Sequence, residues 1–407
     1  MPADSTGGVS FAVDDETQLI LDSMDEFIEQ EVDPLVEDLG DTYVNPRKGH
    51  HDDGRWTDDL LEAREEIRRR SAEAGFYAMT LPQDVGGEDV SAVTWYRAKK
   101  HLASHGPGLV RYVLAGPEGP KPLLLQAEGE QVERYLEPTV RAEKSTAFAQ
   151  TEPGVGSDSP SMETTARKEG DEWVLNGRKQ WITNAPYADF VQLFARTTPQ
   201  EEAGRYGGIT CFIVERDEYE LGSFNNAVGA VGSQAELVLD DVRIPEDRVL
   251  GRVDGAFYAA MDFLSLGRLE LGAEAVGYSE YLLEETSEYA GQREAFGRSI
   301  GNFQQVSEKL ARGKAKTYAA DAAGLKLAWK MDLDERTVMD SSVLKWFATN
   351  VFWEVADAAV QINGANGLAE ENPYMDLLHQ ARILRIVEGT DEIQLNTIAK
   401  SMGVTES

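Results

Sequence analysis

The stretch "STAFAQTEPGVGSDSP", Ser145 to Pro160, is where the hydrophobic period of this chain changes. Upstream of it, apolar residues recur at helical spacing. In "DETQLILDSMDEFIEQEVDPLVEDL", Leu19, Ile20, Met24, Phe27, Ile28 and Val32 are expected to share one helix face. Pro34 should kink or end that run, because it has no N–H to donate and its ring crowds the preceding turn. "TDDLLEAREEIRRRSAEAGFYAM" and "VSAVTWYRAKKHLASHG" read as further helices, joined by the turn-rich "TLPQDVGGED". From Ser145 the segments become short, apolar or alternating: "STAFAQT", "EWVLNGRKQWITNA", "ADFVQLFART", "GITCFIVER" and "AELVLDDVRIP". Rich in Val, Ile, Phe, Trp and Thr and separated by Gly, Asn and Pro, they predict strands. From about Arg252 the helical period returns in long segments with short joins, which suggests an up-down bundle. The expected architecture is α+β, with an N-terminal helical domain over 1–144, a middle antiparallel β domain over 145–251 and a C-terminal helical bundle over 252–407.

Bulk composition narrows the classes. The 407 residues fit roughly two to three domains. No apolar run approaches the ~20 residues of a membrane span, and the N-terminus has neither a basic region nor an apolar signal core. The lone cysteine, Cys211, is expected to be a packed core thiol, with the cytoplasm as the simplest setting. With 72 acidic and 39 basic residues the net charge is −33, spread along the whole chain. Such a surface repels nucleic acid and anionic membranes. It fits a protein working in concentrated salt, where self-repulsion is screened.

Several short motifs could carry chemistry. In "QTEPGVGSDSP", Gly154 and Gly156 free the backbone to approach a ligand, beside the polar side chains of Gln150, Thr151 and Ser157. It is neither a Walker A loop nor G-x-G-x-x-G. In "KQWITNA", Trp181 and Thr183 fall on one face of a strand, an indole beside a hydroxyl that suits a flat aromatic cofactor. "QREAFGRSIGNFQQ" places Arg293, Phe296 and Gln304 around a helix break, where Arg can grip pyrophosphate. "VQINGANG" is a helix end followed by Gly364 and Gly367, and "RILRIVEGTDEIQ" puts a carboxylate, Glu388, after apolar Ile386–Val387 and before Gly389. Thr390 is expected to cap the last helix, with Asp391 and Glu392 in its first turn. The adjacent pair His50–His51 does not share a helix face and has no second ligand cluster nearby in sequence, so it reads as a surface loop and no metal is expected. Taken singly, each motif also has a plain structural reading: a turn, a core tryptophan, a solvated arginine, a helix cap, a helix-end charge.

Their order decides between the two. "TEPGVGSD", "WITNA", "REAFGRSIGNFQ", "VQINGANG" and "VEGTDEIQ" follow one another as they do in the acyl-CoA dehydrogenase family, which this chain resembles over nearly its whole length. "FIEQEVDPL" and "AGFYAMTLPQDVGG" resemble the family's opening helices. The resemblance implies an FAD cofactor held by the β domain and the bundle, an acyl-CoA substrate and a homo-oligomer, usually a tetramer. It implies that Gln150, Thr151 and Ser157 line the flavin, with Trp181 and Thr183 over the isoalloxazine. Arg293, Phe296, Gln304, Gln361, Gly364 and Ala365 would contact the dinucleotide half from a neighbouring subunit, and Thr390 and Glu392 would complete the site. Ser157, Leu266, Arg268 and Gly389 would lie against the substrate.

By the same resemblance Glu388 is the base that removes the α-proton of the thioester while a hydride leaves the β-carbon for flavin N5, giving a trans-2-enoyl-CoA. Its apolar neighbours are expected to keep it from water and raise its pKa. The thioester oxygen would accept from the Glu388 backbone N–H and a flavin ribityl hydroxyl. In some members the base instead directly precedes an arginine on a bundle helix. Here that position is Gly267, before Arg268, and Glu270 lies two places after it. The chain departs from common family residues at His379-Gln380, Val387 and Ala365. Alternatives on the same fold are an acyl-CoA oxidase or flavin monooxygenase, often longer than this chain, and a decarboxylating enzyme, for which Arg97 or Arg111 would supply the cation. A non-catalytic helical binding protein is the rival of another class. The favoured electron acceptor is an electron-transfer flavoprotein. If the acidic surface is a salt adaptation, the thermal unfolding midpoint will rise steadily with KCl; equal stability in low salt would refute it.

Overall fold

The computed structural model describes residues 12–44, 48–227 and 232–404. Much of the N-terminal stretch read for an export signal, and part of the polar loop before His50, lie outside them. By contact the chain divides into two compact units. One comprises Asp33–Asp89 and Arg111–Leu264 and contains the sheet; the other comprises Met1–Val32, Val90–Val110 and Ser265–Ser407 and is helical.

The sheet unit is built on β1 Thr146–Ala149, β2 Thr165–Glu169, β3 Glu172–Thr183, β4 Phe190–Arg196, β5 Ile209–Glu215, β6 Glu220–Phe224, β7 Gln234–Pro245 and β8 Val249–Leu250. The order is β6-β7-β3-β2-β4-β5-β8, with β1 beside β4. Pairing is antiparallel except where β1 and β2 meet β4 in parallel. β4 and β5 are largely apolar, Gln192 and Thr210 being their buried polar exceptions, because both of their faces are buried. Phe190, Phe194, Cys211 and Ile213 face a core shared with Leu124, Leu136 and Phe257. Val191, Leu193, Phe212 and Val214 face a second core with Trp173, Leu175, Leu237 and Ile244. Cys211 is fully buried, and burial pushes its thiol far above the ordinary range, as expected of a core thiol.

In the helical unit, helices Leu264–Gln292, Gln304–Asp332, Val338–Asn363, Tyr374–Leu384 and Asp391–Ser401 pack with Asp15–Phe27 and Ala92–Ser104. Two details differ from the sequence reading. Leu19 is 67% exposed, because it lies well round the helix from Met24; Thr17 completes the buried face instead, its hydroxyl 2.9 Å from that of Thr94. Pro34 does not end the helical run. A π turn at Ile28–Val32 precedes it, and helix resumes at Asp33–Leu39, so the ring enters near a helix start, where its missing N–H does least harm.

Glycines allow close approach between these helices. A Cβ at Gly277 would stand 2.3 Å from the Lys100 carbonyl oxygen, and one at Gly324 2.3 Å from the Tyr96 ring. Gly291, near the end of its helix, meets nothing within 4 Å. Alanine favours helix over glycine by about 1 kcal/mol, yet Gly277→Ala should destabilise by about 1–3 kcal/mol through overpacking against backbone. Gly291→Ala should be neutral or slightly stabilising. Chemical denaturation of the two variants checks this contrast.

Candidate active site

In the helical unit the chain turns sharply between helices Tyr374–Leu384 and Asp391–Ser401. Glu388 has φ +52° and Gly389 φ +94°. Left-handed backbone at a glutamate is costly, of order 1–3 kcal/mol, and persists only where its surroundings impose it. Here two fully buried side chains do so. Lys345 Nζ donates to the Gly389 carbonyl at 2.7 Å. Gln394 Nε2 donates to the Glu388 carbonyl at 3.1 Å and to that of Gly389 at 2.9 Å. Asp391 anchors the far end through Arg385 at 2.7 Å and Asn350 at 3.2 Å. Burial lowers the Lys345 pKa to about 8, against the opposing pull of the Asp391 and Glu388 charges.

The turn aims the Glu388 side chain at Gly267. A Cβ built on Gly267 would fall 2.5 Å from Glu388 Oε2 and 3.0 Å from Oε1. The carboxylate therefore occupies space that exists only because residue 267 has no side chain. Arg268, next in the helix, is buried; Nη1 donates to Ser342 Oγ at 3.2 Å and Nε has no protein partner. Burial lowers its pKa, partly opposed by the Glu388 charge. Leu266 is half-buried beside it.

Two expectations for this turn are corrected. Glu388 is exposed in the chain by itself and Ile386 is 52% exposed, so these neighbours do not bury the carboxylate. Drying it requires something to cover the turn. Thr390 occupies the N-cap position but makes no side-chain cap bond. Its hydroxyl bonds the Glu392 carboxylate instead and holds that group below its usual range.

The sheet unit carries the second cluster. β1 ends at Ala149, and Gln150 to Ser157 form a loop beside β3. Lys179 Nζ lies 2.7 Å from Glu152 Oε1 and 3.2 Å from the Gln150 carbonyl. Glu152 also accepts from the backbone N–H of Glu163 and Thr164, at 2.6 and 3.0 Å. Both side chains of the pair are buried. Burial lowers the Lys179 pKa to about 8, with Glu152 opposing. For Glu152 burial raises the pKa, but the Lys179 charge and these hydrogen bonds bring it below the usual range.

Beyond Lys179 the β3–β7 register slips before Ile182, and Trp181 takes φ +62°. Such a bulge re-aims a side chain, and the indole stands 49% exposed. Thr183 Oγ1 accepts from Gln234 Nε2 at 3.2 Å. The loop and the bulge are tied directly, Gln180 N–H donating to the Thr151 carbonyl at 2.9 Å. Gln150 Nε2 is buried without a protein partner, Ser157 is exposed, and side chains at Gly154 or Gly156 would meet nothing within 4 Å.

A third cluster sits at the break after helix Leu264–Gln292. Strands Glu294–Ala295 and Arg298–Ser299 form a hairpin whose two turn residues, Phe296 and Gly297, have φ +54° and +79°. Phe296 is 96% exposed at the tip. With Ile300, Val306, Gln361 and Ile362 it lines an apolar groove of about 300 Å³. Gln305 lines this groove rather than Gln304, and Arg293, Gln304, Gly364 and Ala365 lie exposed outside its lining.

Comparison with known proteins follows this geometry. "Acyl-CoA dehydrogenase, N-terminal domain" matches residues 14–143, the "middle domain" residues 147–242 and the "C-terminal domain" residues 254–403. The chain belongs to the acyl-CoA dehydrogenase family. It is 32% identical over 382 residues to a 3-(aryl)acrylate reductase of Clostridium sporogenes, covering 93% of this chain and 96% of that one. It is also 32% identical, over 82% of its length and 89% of the relative's, to a subunit of the caffeyl-CoA reductase-Etf complex of Acetobacterium woodii. The butyryl-CoA dehydrogenase of Megasphaera elsdenii superposes with TM-score 0.82 at 30% identity, covering 97% of this chain and 99% of that one. Family members are flavin-dependent oxidoreductases that depend on FAD, and this chain is an enzyme of that kind. Among the described residues no helix is long and apolar enough to cross a membrane.

The family motifs rest on residues that the sequence reading passed over. Asn184, last polar residue of "WITNA", accepts from Arg64 Nη1 at 3.0 Å and donates to the Thr146 carbonyl at 2.9 Å. Arg64 is buried among the rings of Trp56, Tyr112 and Tyr187, with centroids 5.2–5.7 Å away. In "EAREEIRRR" it looks like one more solvated charge. Lys345 gave a clearer signal, a lysine inside the apolar run Val343 to Phe347, whereas Lys179 stands between Arg178 and Gln180 and gave none. Of the two arginines considered for an acyl pocket, Arg97 donates to the Ala12 carbonyl at 3.0 Å, and Arg111 lies over the Tyr112 ring.

The buried pair yields a prediction. Glu152→Gln leaves the Lys179 charge without its carboxylate and should cost about 3–5 kcal/mol near pH 7. In the variant Lys179 also loses the charge that holds its pKa up, so the folded variant sheds this proton below about pH 8, where the wild type still holds it; the deficit should shrink as pH rises towards about 8 and level off above it. Conversely, the lowered pKa of Glu152 adds stability that is present above about pH 4.5 and lost as pH falls through the lowered value. The variant should lack that part of the acid transition. Denaturant melts across pH check both limbs.

Proposed function

We propose that this chain oxidises an acyl-CoA thioester to its trans-2-enoyl-CoA, with Glu388 as the base that takes the α-proton. The observation that carries the reading is the seating of the Glu388 carboxylate against the bare Cα of Gly267, on a left-handed turn held by two buried donors. A strained glutamate with imposed geometry suits proton abstraction, where placement matters before pKa.

The residues fit an FAD cofactor. Gln150 Nε2 is an orphaned buried donor beside an open glycine loop, and Trp181 offers an indole face. Gln150, Thr151, Ser157, Trp181, Thr183, Thr390 and Glu392 would hold the flavin. Arg293, Phe296, Gln304, Gln361, Gly364 and Ala365 would hold the dinucleotide half. Bound there, FAD supplies the acceptor for the β-hydrogen. The chain's own residues do the remaining work. Glu388 receives the α-proton, its backbone N–H faces the thioester oxygen, and Ser157, Leu266, Arg268 and Gly389 bound the acyl chain. Closure over the exposed Glu388 by substrate and cofactor would dry the carboxylate and favour its protonated form.

The exposed Phe296 and its groove support a homo-oligomer, a tetramer in this proposal, in which one protomer's hairpin completes its neighbour's cofactor site. The Etf-linked relative supports an electron-transfer flavoprotein as acceptor. The same chemistry runs in reverse, and the two reductases extend the candidate substrates to aryl-substituted enoyl thioesters. Val387, before the proposed base, is smaller than the tyrosine common there in the family. Fatty-acid breakdown and branched amino-acid breakdown are the two pathway classes proposed, and 1–144, 145–251 and 252–407 are the proposed domain limits.

The test is anaerobic titration of the yellow enzyme, in high salt, with straight-chain, branched and aryl acyl-CoAs, following loss of the long-wavelength flavin band. Bleaching by one class supports the reaction and identifies the substrate. Glu388→Gln should retain flavin and lose roughly 10²–10⁴-fold in turnover. Gly267→Ala should also retain flavin, yet lose roughly 10²-fold by displacing the carboxylate. Undiminished turnover in either flavin-loaded variant would overturn the assignment of the base.

A further inference from the structure

Away from the flavin and acyl-CoA residues, the helical unit brings together three side chains that no motif contains. Asp25 lies on helix Asp15–Phe27, and His101 lies on helix Ala92–Ser104, with His105 as that helix's C-terminal cap. His101 and His105 are one helical turn apart, so their rings leave the same face. His101 Nε2 stands 2.6 Å from Asp25 Oδ1 and His105 Nε2 2.9 Å from the same oxygen. The imidazoles are 5.1 Å apart between centroids and inclined at 85°. One nitrogen from each ring and one carboxylate oxygen therefore converge within 4.8 Å of one another. Among the described residues this is the only such convergence of three potential ligands.

We propose that Asp25, His101 and His105 bind a divalent cation of the zinc class, with Nε2 of each histidine and a carboxylate oxygen of Asp25 as ligands. The donor set selects the metal. Two imidazole nitrogens and one oxygen suit Zn(II), Co(II), Ni(II) or Cu(II), whereas Mg(II) and Ca(II) prefer all-oxygen shells. Bonds of about 2.0–2.2 Å to a tetrahedral ion require ligand atoms slightly further apart than the two hydrogen bonds now hold them. Small rotations of exposed side chains supply that. All three remain partly solvent-accessible, at 26%, 33% and 43% for His101, His105 and Asp25, which leaves an entry path and an open fourth position. The net charge of −33 raises the local cation concentration. A bound ion would replace two hydrogen bonds with a cross-link between two helices 76 to 80 residues apart in sequence, and so stabilise the fold by binding only the native state.

The experiment uses the flavin-loaded enzyme stripped with EDTA and titrated with Zn(II) in excess Mg(II), which occupies ordinary carboxylate sites. Calorimetry should give one Zn(II) per chain. His105→Ala and Asp25→Asn should each weaken that binding roughly tenfold or more. Zn(II) should raise the unfolding midpoint of the wild type and leave both variants unmoved; loss of the hydrogen bonds alone would not create a zinc-dependent shift. Co(II) should produce a visible d–d band in the wild type only. Undiminished one-equivalent binding in the His105→Ala enzyme, or no saturable site in the wild type, would overturn the proposal, and the second result needs no variant to fold.

Discussion

The hydrogen bond from the buried Lys345 ammonium to the Gly389 carbonyl holds the turn on which the candidate active site is built. Without it, a glutamate in left-handed backbone has little reason to stay there. Gln394 donates to the same carbonyl and to its neighbour, so both carbonyls of the turn are met from the protein interior. A charge-assisted bond of this kind contributes about 1.5–3 kcal/mol, comparable to the strain at Glu388. The ammonium is itself under tension. Burial draws its pKa down to about 8, and the charges of Asp391 and Glu388 keep it from falling further. Asp391 in turn is fixed by Arg385 and Asn350. Glu388, Lys345 and Asp391 are thus mutually dependent, and the geometry of the carboxylate is a property of the group.

The sheet unit solves a similar problem with a second buried lysine. Lys179 also bonds a main-chain carbonyl, that of Gln150, and its pKa is also lowered to about 8. The difference lies in the counter-charge. Lys345 balances against charges spread over several groups, whereas Lys179 meets one carboxylate, Glu152, at 2.7 Å. Glu152 has further acceptor capacity and uses it on two backbone N–H groups. A glycine-bearing loop, closed on itself by the Glu152–Val155 bridge around Gly154, is therefore tied to the strand carrying Trp181. The open glycines remain open because the ordering is done from beneath.

Much of this was legible in the sequence. The change of period at Ser145 marked the sheet, and the doubly buried β4 and β5 read as apolar runs for the reason that both their faces are covered. The bulge at Trp181 was not legible, since strict alternation assumes an unbroken register. Helical spacing selected Leu19 because it counts apolar residues, and it passed over Thr17, whose buried hydroxyl finds Thr94 across a long sequence separation. Thr390 sits at its cap position as its sequence suggests, but its hydroxyl donates to the Glu392 carboxylate and accepts no cap bond from the backbone. The supporting residues Arg64 and Lys179 escaped for a shared reason. A buried cation is tolerable only when partners arrive from elsewhere in the chain, and those partners have no fixed sequence offset.

Gly267 shows how closely two such distant positions can be coupled. A carboxylate could reach this space from helix Leu264–Gln292 or from the turn after Leu384. The volume admits one of them. Any side chain at 267 would begin 2.5 Å from Glu388 Oε2, well inside contact distance, so the carboxylate keeps this seat only while residue 267 is a glycine. Moving the carboxylate to the helix would take two changes together: a side chain gained at 267 and one lost at 388. The first alone displaces the Glu388 carboxylate, and the second alone leaves none. The left-handed turn and its two buried donors would then support nothing. The position of the Glu388 carboxylate is thus set by exclusion as much as by attraction, and an apparently featureless glycine on a long helix carries as much of that information as the glutamate does.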